Sequence, residues 1–160
     1  MSKLQKFNIR RSTPNHAADV ITGINMICAE GGAFYTPHFI SSPAWDNVLY
    51  APDQHLDHLL VVAEVDGVFA GSARLFPEPA HSYASHVVEL GMFVLPPYRR
   101  LGIGKALLEW GIAWASTQAY ERITLGVFAS NWPAIALYQQ LGFAQELTMR
   151  LCRTTGNENW

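Results

Sequence analysis

The segment Val94-Leu95-Pro96-Pro97-Tyr98-Arg99-Arg100-Leu101-Gly102-Ile103-Gly104-Lys105 carries the strongest chemical signal in the chain. An apolar run broken by two prolines leads into a turn with two glycines, and a helix begins there. The first N–H groups of a helix have no internal partner and sit at the positive end of its dipole. Gly102 and Gly104 carry no side chain to block an approaching anion, and Gly102 is free to take a positive φ. Arg99, Arg100 and Lys105 add charge to the same turn. Together these residues predict a phosphate site. A helix start flanked by solvated arginines has the same composition. The spacing departs from GxxxxGK[ST]. The turn also lacks a complete GxGxxG and an acidic residue closing a following strand, which disfavours a nucleoside triphosphate or a dinucleotide.

Glu89 interrupts the apolar run Val87 to Leu95. Strict alternation puts it on one face with Gly91 and Phe93, and a bulge would change that parity. Glycine two residues on leaves space beside the carboxylate for water or substrate, so Glu89 is a candidate general base. A carboxylate bonded to a neighbouring loop or cation is the alternative account. His81 and His86 precede the run, and His38, His55 and His58 flank an earlier segment. Imidazole titrates near neutrality, so each is a candidate base, although each also fits a loop histidine.

The elements that must hold these groups follow from periodicity. Residues 7 to 11 read as a short strand, and Thr13-Pro14-Asn15 starts a helix to about Ala29, with Val20, Ile21, Ile24 and Ile27 at helical spacing. Residues 31 to 57 are rich in aromatics, prolines and histidines, with a short helix expected near Pro43 to Leu49. Such an irregular stretch suits a binding loop. His58 to Val65 and Val68 to Phe76 read as strands joined by an Asp66-Gly67 hairpin turn. A third strand, Val87 to Leu95, stops at the prolines. A helix from Gly102 to Gln118 follows, with a stripe of Ile103, Leu107, Trp110 and Trp114 widened by Leu108, Gly111 and Ala115. Arg122 to Val127 alternates as a strand. Ser130 or Asn131 caps a helix from Pro133 to Gln140, Gly142 stops it, and Phe143 to Arg153 reads as a last strand. The order predicts an α/β (α+β) fold, a mixed sheet with helices on its faces.

A chain of 160 residues suits one domain, here 1–160, large enough to bury a core. Net charge −2 gives no basic footprint for nucleic acid. Cys28 and Cys152 lie far apart without metal-ligand spacing, which suits a pair of reduced thiols, and no metal is expected. MSKLQKFNIRRST is not a signal peptide, and no apolar run approaches a membrane span, so a cytoplasmic protein is expected.

Two blocks carry a family resemblance. Val94 to Gly104, read as VxPxYRxxGxG, resembles the acyl-CoA motif of the GNAT superfamily of N-acetyltransferases. Asn131-Trp132-Pro133-Ala134-Ile135-Ala136-Leu137-Tyr138-Gln139-Gln140-Leu141-Gly142-Phe143 resembles the family's NxxAIxLYxxxGF. Their order and spacing match the family, and the strand order fits its fold over most of the chain.

The resemblance implies a single, mostly antiparallel twisted sheet of six or seven strands with about four helices, and acetyl-CoA as cosubstrate. It implies that Arg99, Arg100, Leu101, Gly102, Ile103, Gly104 and Lys105 wrap the CoA pyrophosphate with main-chain N–H groups. The strand holding Met92, Phe93 and Val94 would splay from its neighbour, so that the pantetheine arm pairs with its backbone. A free N–H near Phe93 would polarise the thioester carbonyl. Asn131 sits where the family often contacts CoA, and equally where a helix cap belongs. Tyr138 matches the tyrosine that protonates the departing CoA thiolate, a role a phenol can fill because it keeps its proton at neutral pH. Some members use a glutamate at the position of Glu89 as base, often through a water. A base is needed because neutralising an alkylammonium at pH 7 costs roughly 4.6 kcal/mol. Direct transfer to a small-molecule amine is the expected reaction. Peptide or lysine acetylation and a non-catalytic acyl-CoA-binding module are the alternatives. Glu30, Phe34, Tyr35 and Trp45 are weaker candidates for the acceptor wall, and homodimerisation is a family habit that the sequence does not show.

Overall fold

Alternate residues of the central strands, buried on both faces, enter two apolar layers on either side of one sheet. A computed structural model describes residues 6–31, 34, 36–77 and 86–146. The strands are β1 (Phe7–Arg11), β2 (Leu59–Val65), β3 (Val68–Pro77), β4 (Val87–Val94) and β5 (Arg122–Thr124), in that spatial order. Neighbours are antiparallel except β4 and β5, which run parallel. The β2–β3 turn has positive φ at both Asp66 (50°) and Gly67 (79°), the hairpin geometry that an Asp-Gly pair favours.

The helices are α1 (Ala17–Glu30), α2 (Pro43–Tyr50), α3 (Ile103–Thr117) and α4 (Trp132–Gln140). On one face, Leu59, Val61, Ala73, Leu75, Val88 and Leu90 pack against Ile103, Leu107, Leu108 and Trp114 of α3. On the other, Leu60, Val62, Phe76 and Phe93 pack against Val20, Ile24 and Ile27 of α1 and Val48 and Leu49 of α2. The stripe expected on α3 is the buried one, with Trp110 half-buried. No helix of the described residues is long and apolar enough to cross a membrane.

Two expectations are corrected. The strand expected over Arg122 to Val127 ends at Thr124, because the β4–β5 ladder ends at the Glu89–Thr124 pair and nothing in the ladder holds residues 125–127 extended. Of the strand expected over Phe143 to Arg153, residues 143–146 are irregular and the remainder lies outside the described residues. Five strands therefore stand among the described residues where six or seven were expected. His81, Tyr35 and Cys152 also lie outside them.

Candidate active site

The early end of the β4–β5 ladder creates the site. β4 pairs with β3 along its whole length, from Val88–Pro77 to Val94–Gly71, but with β5 only from Val87 to Glu89. Beyond Glu89 one edge of β4 has no strand partner among the described residues. Backbone groups on a strand alternate sides. The N–H of Leu95 donates to Ala70 O at 2.8 Å, on the β3 side. Phe93 therefore also faces β3, and the main-chain groups of Met92 and Val94 face the open edge. The Phe93 N–H thus faces β3, and any free N–H near Phe93 belongs to the residues flanking it, Met92 and Val94. The Phe93 side chain is core, its ring buried against Phe69 and Phe34 at centroid distances of 6.1 and 6.3 Å.

The open edge leads to the start of α3. Pro96–Tyr98 form a short 3-10 turn, Arg100 and Gly102 take φ of 64° and 84°, and Gly102 is the N-cap. The first helical bond is Ala106 N–H to Gly102 O, at 3.1 Å. The N–H groups of Ile103, Gly104 and Lys105 precede it, and no side chain caps them. By contrast, Ser42 caps α2 and Asn131 Oδ1 caps α4, accepting from Ala134 N at 3.4 Å. An uncapped helix start with exposed Arg100 and Lys105 beside it presents donors and charge to an anion. A side chain at Gly102 would meet open space, so this glycine answers to its φ. Gly104 serves packing instead. A Cβ there would lie 3.3 Å from Met92 Cε and 3.4 Å from Leu137 Cδ2, where α3, β4 and α4 converge.

The Arg99 side chain is held by three oxygens. Its Nη1 and Nη2 donate to Glu30 Oε2 and Oε1 at 3.0 and 2.7 Å, and its Nε donates to Val94 O at 3.0 Å. Its N–H donates to Pro96 O at 3.3 Å. The guanidinium holds the Glu30 carboxyl below the usual carboxylate range. Arg99 is thus a brace between α1 and the turn, with its N–H and guanidinium engaged by Pro96 O, Glu30 and Val94 O.

Leu137 of α4 meets Gly104, and Tyr138 packs in the same cluster as Met92, Val94 and Tyr98. Its ring lies 5.8 Å from that of Phe143. Burial pushes the phenol pKa up, so the hydroxyl holds its proton more firmly than a solvated tyrosine.

On the α1–α2 face, a cavity of about 260 Å³ opens beside Gly91, Met92 and Phe93. Ile24, Phe34, Phe39, Ile40 and Trp45 form apolar walls, and Arg74, Ser72 and Thr36 supply polar groups. Phe34 and Trp45 were expected at such a wall. Glu30 is instead committed to Arg99. Glu89 shares its face with Gly91 and Phe93, as alternation required, but the space beside Gly91 is occupied. The guanidinium of Arg74 lies there, with Nε 2.9 Å from where a Cβ of residue 91 would stand. Arg74 Nη2 donates to Glu89 Oε1 at 2.8 Å, and the same guanidinium lies 4.8 Å over the Phe76 ring. The carboxylate's immediate partner is this cation rather than open space.

None of the described histidines lines the cavity. His38 is exposed. His58 Nδ1 lies 2.8 Å from Asp57 Oδ1, which lowers the Asp57 pKa, and His55 stacks against His58 at 6.2 Å. His86 lies 3.9 Å from the Glu121 carboxylate. Sequence reasoning passed over Arg74, although a charged residue in the apolar strand VFAGSARLF is the same kind of interruption that marked Glu89.

Comparison with known proteins agrees with this architecture. The family described as Acetyltransferase (GNAT) family matches residues 26–143. An N-alpha-acetyltransferase of Sulfurisphaera tokodaii is 40% identical over 100 residues, covering 56% of this chain and 58% of that protein. A phosphinothricin N-acetyltransferase of Streptomyces viridochromogenes is 30% identical over 90 residues, 56% of this chain and 49% of that protein. The match therefore spans about half the length of these relatives. Among solved structures, an acetyltransferase of the GNAT family from Streptococcus pneumoniae superposes with a TM-score of 0.76 at 24% identity, covering 88% of this chain and 86% of the other. A phosphinothricin acetyltransferase from Sinorhizobium meliloti, solved with acetyl-CoA, gives 0.74 at 20% identity, covering 85 and 74%. These two likenesses concern the fold. With the family match over most of its length, the chain belongs to the acetyltransferase (GNAT) family.

Proposed function

We propose that this chain is an N-acetyltransferase that takes the acetyl group of acetyl-CoA and transfers it to a primary amine of a small-molecule acceptor within a ternary complex. The observation that carries this reading is the convergence on Met92: its main chain faces the unpaired edge of β4, and the residue also lines the apolar cavity on the α1–α2 side. A cosubstrate laid along that edge and an amine seated in the cavity would meet there.

The residues fit coenzyme A. Arg100, Leu101, Gly102, Ile103, Gly104 and Lys105 form the diphosphate cradle, and the Met92 main chain and the Val94 N–H supply strand-like partners for the pantetheine amides, Val94 O being held by Arg99. Asn131 caps α4, the helix whose Leu137 meets Gly104, and is the further candidate for a CoA contact. The thioester supplies an activated acetyl group. An N–H of Met92 or Val94 polarises its carbonyl, Glu89 accepts the ammonium proton directly or through water, and Tyr138 returns a proton to the departing thiolate. A cavity of about 260 Å³ with aromatic walls favours a small organic amine.

Relatives also include N-alpha-acetyltransferases and a ribosomal-protein alanine N-acetyltransferase of Escherichia coli, 47% identical over 55 residues, so a peptide N-terminus is the second reading. Release of free CoA thiol, followed over a panel of small amines and peptides, tests both. Turnover with small amines and none with peptides is expected. Peptide-only turnover would replace the reading, and no calorimetric signal with coenzyme A would end it.

A further inference from the structure

We infer that Arg74 is an anion anchor of the acceptor cavity, so that the acceptor is an apolar monoamine carrying a carboxylate or a similar anionic group. This inference rests on the small-molecule reading above and narrows it to a chemical class.

Arg74 is the residue of fixed charge among those lining the cavity. Its neighbours there are Ile24, Phe34, Phe39, Trp45 and Phe93, walls that can hold an apolar body but cannot neutralise an ion. A guanidinium stays protonated throughout the working pH range and carries five N–H donors in a planar fork suited to a carboxylate. Its position is over-determined. Arg74 stands opposite Gly91 in the β3–β4 register, and the absent side chain of Gly91 leaves the slot in which the guanidinium lies. Phe76 supports it from beneath at 4.8 Å, and Glu89 takes one donor from each terminal nitrogen, Nη2 to Oε1 at 2.8 Å and Nη1 to its main-chain O at 3.5 Å. The side chain is about one quarter exposed, so the fork is held rigidly yet remains reachable.

The pairing with Glu89 uses part of the fork and leaves donors for a second oxygen acceptor. A carboxylate arriving in the cavity would share or take the donors now given to Glu89. That exchange loosens Glu89 and leaves it able to accept the proton that the acceptor's ammonium must lose before its nitrogen attacks. Selection and activation are thereby joined in one residue pair. A polycation gains nothing from this arrangement, since its second charge would meet the guanidinium across apolar walls.

Acceptor pairs that differ in one group test the inference. Leucine, methionine and phenylalanine would each be compared with the amine lacking the carboxylate, by thiol release and by calorimetry on the protein–CoA complex. The expected result is a preference of about tenfold or more for the carboxylate-bearing member in kcat/KM, with tighter binding in calorimetry as the anchor's share of it. In Arg74→Gln that ratio falls towards unity, and Arg74→Lys restores part of it. The ratio is read within one protein sample, so a general loss of folded material does not move it. Gly91→Ala, which crowds the guanidinium without removing it, should lower the same ratio. Transfer without any carboxylate preference, or a preference that survives Arg74→Gln, overturns the role of Arg74. Carboxylate-selective binding without acetyl transfer upholds the anchor and overturns the proposed reaction. Binding of no carboxylate-bearing member overturns the anchor.

Discussion

Arg99 and Glu30, far apart in sequence, form a two-point ion pair that joins the last residue of α1 to the turn preceding α3, with N–O distances of 2.7 and 3.0 Å. A carboxylate at a helix C-terminus opposes the helix dipole, and the guanidinium brings the cation that this end requires. The third contact, Arg99 Nε to Val94 O, ties the pair to the end of β4. One side chain therefore fixes the relative position of the acceptor-side helix and the cradle.

The pair has a defined pH signature. Glu30 has a lowered pKa in the folded protein, so its contribution is complete above the ordinary carboxylate range and is lost as pH falls through that lowered value. Both side chains are more than a third exposed, which limits the effect to at most about 1 kcal/mol. Chemical denaturation of Glu30→Gln should show a small deficit at pH 7 that disappears at acid pH. A deficit that persists unchanged in acid would assign the effect to packing instead.

Gly102 and Gly104 should respond differently to alanine. At Gly102 the φ of 84° costs an L-residue about 1–2 kcal/mol and displaces the N–H groups of the cradle, so coenzyme A affinity should fall along with stability. At Gly104 the new methyl presses on the flexible end of Met92, at 3.3 Å, and the φ is not left-handed. Stability should fall modestly there. Calorimetry with coenzyme A on both variants separates the two causes: equal losses of affinity would contradict it.

Tyr138 should shape the alkaline limb of the pH–rate profile. A general acid must be protonated, so activity declines as pH rises through the phenol pKa, and burial places that limb above the position of a solvated tyrosine. Tyr138→Phe should remove the limb and lower turnover by about a hundredfold, with acetyl-CoA affinity nearly unchanged. Glu89→Gln should lower turnover with acetyl-CoA affinity little changed. Full turnover by Tyr138→Phe with a chemistry-limited acceptor would dismiss the tyrosine, and full turnover by Glu89→Gln would dismiss the glutamate.

How far the sequence could be read depended on whether the signal was local. The α3 stripe, the Asp66-Gly67 turn and the helix start at Gly102 each follow from a few adjacent residues, and the structure places them as expected. The partners of Glu89, Arg99 and Gly104 come from other elements and had no local signal. Gly91 looked like room for a substrate because its occupant, Arg74, lies on the facing strand. Arg99 looked like a phosphate ligand because Glu30 is distant in sequence. β5 is shorter than alternation suggests because the pattern at Leu125 and Val127 persists after the pairing has ended, and only the ladder shows where that is.

Gly23 offers a test of how firmly β4 is held. A Cβ at this position would lie 2.8 and 2.9 Å from the Phe93 ring and 3.1 Å from that of Phe69, closer than packed atoms tolerate. Phe93 is buried, and its ring is a rigid plane rather than a flexible chain end, so it can yield only by moving with its backbone or tilting against Phe69. Overpacking of this kind costs about 1–3 kcal/mol. Gly23→Ala should lower stability by that amount. Because Phe93 stands between Met92 and Val94, the same substitution should also raise KM for acetyl-CoA, although Gly23 itself lies on the far face of the sheet. Pairing it with Phe93→Leu, which removes the obstructed ring atoms, should recover part of the stability lost by Gly23→Ala. Additive losses in the double variant, measured by denaturant unfolding, would show that the clash is relieved elsewhere and that β4 is not the element displaced.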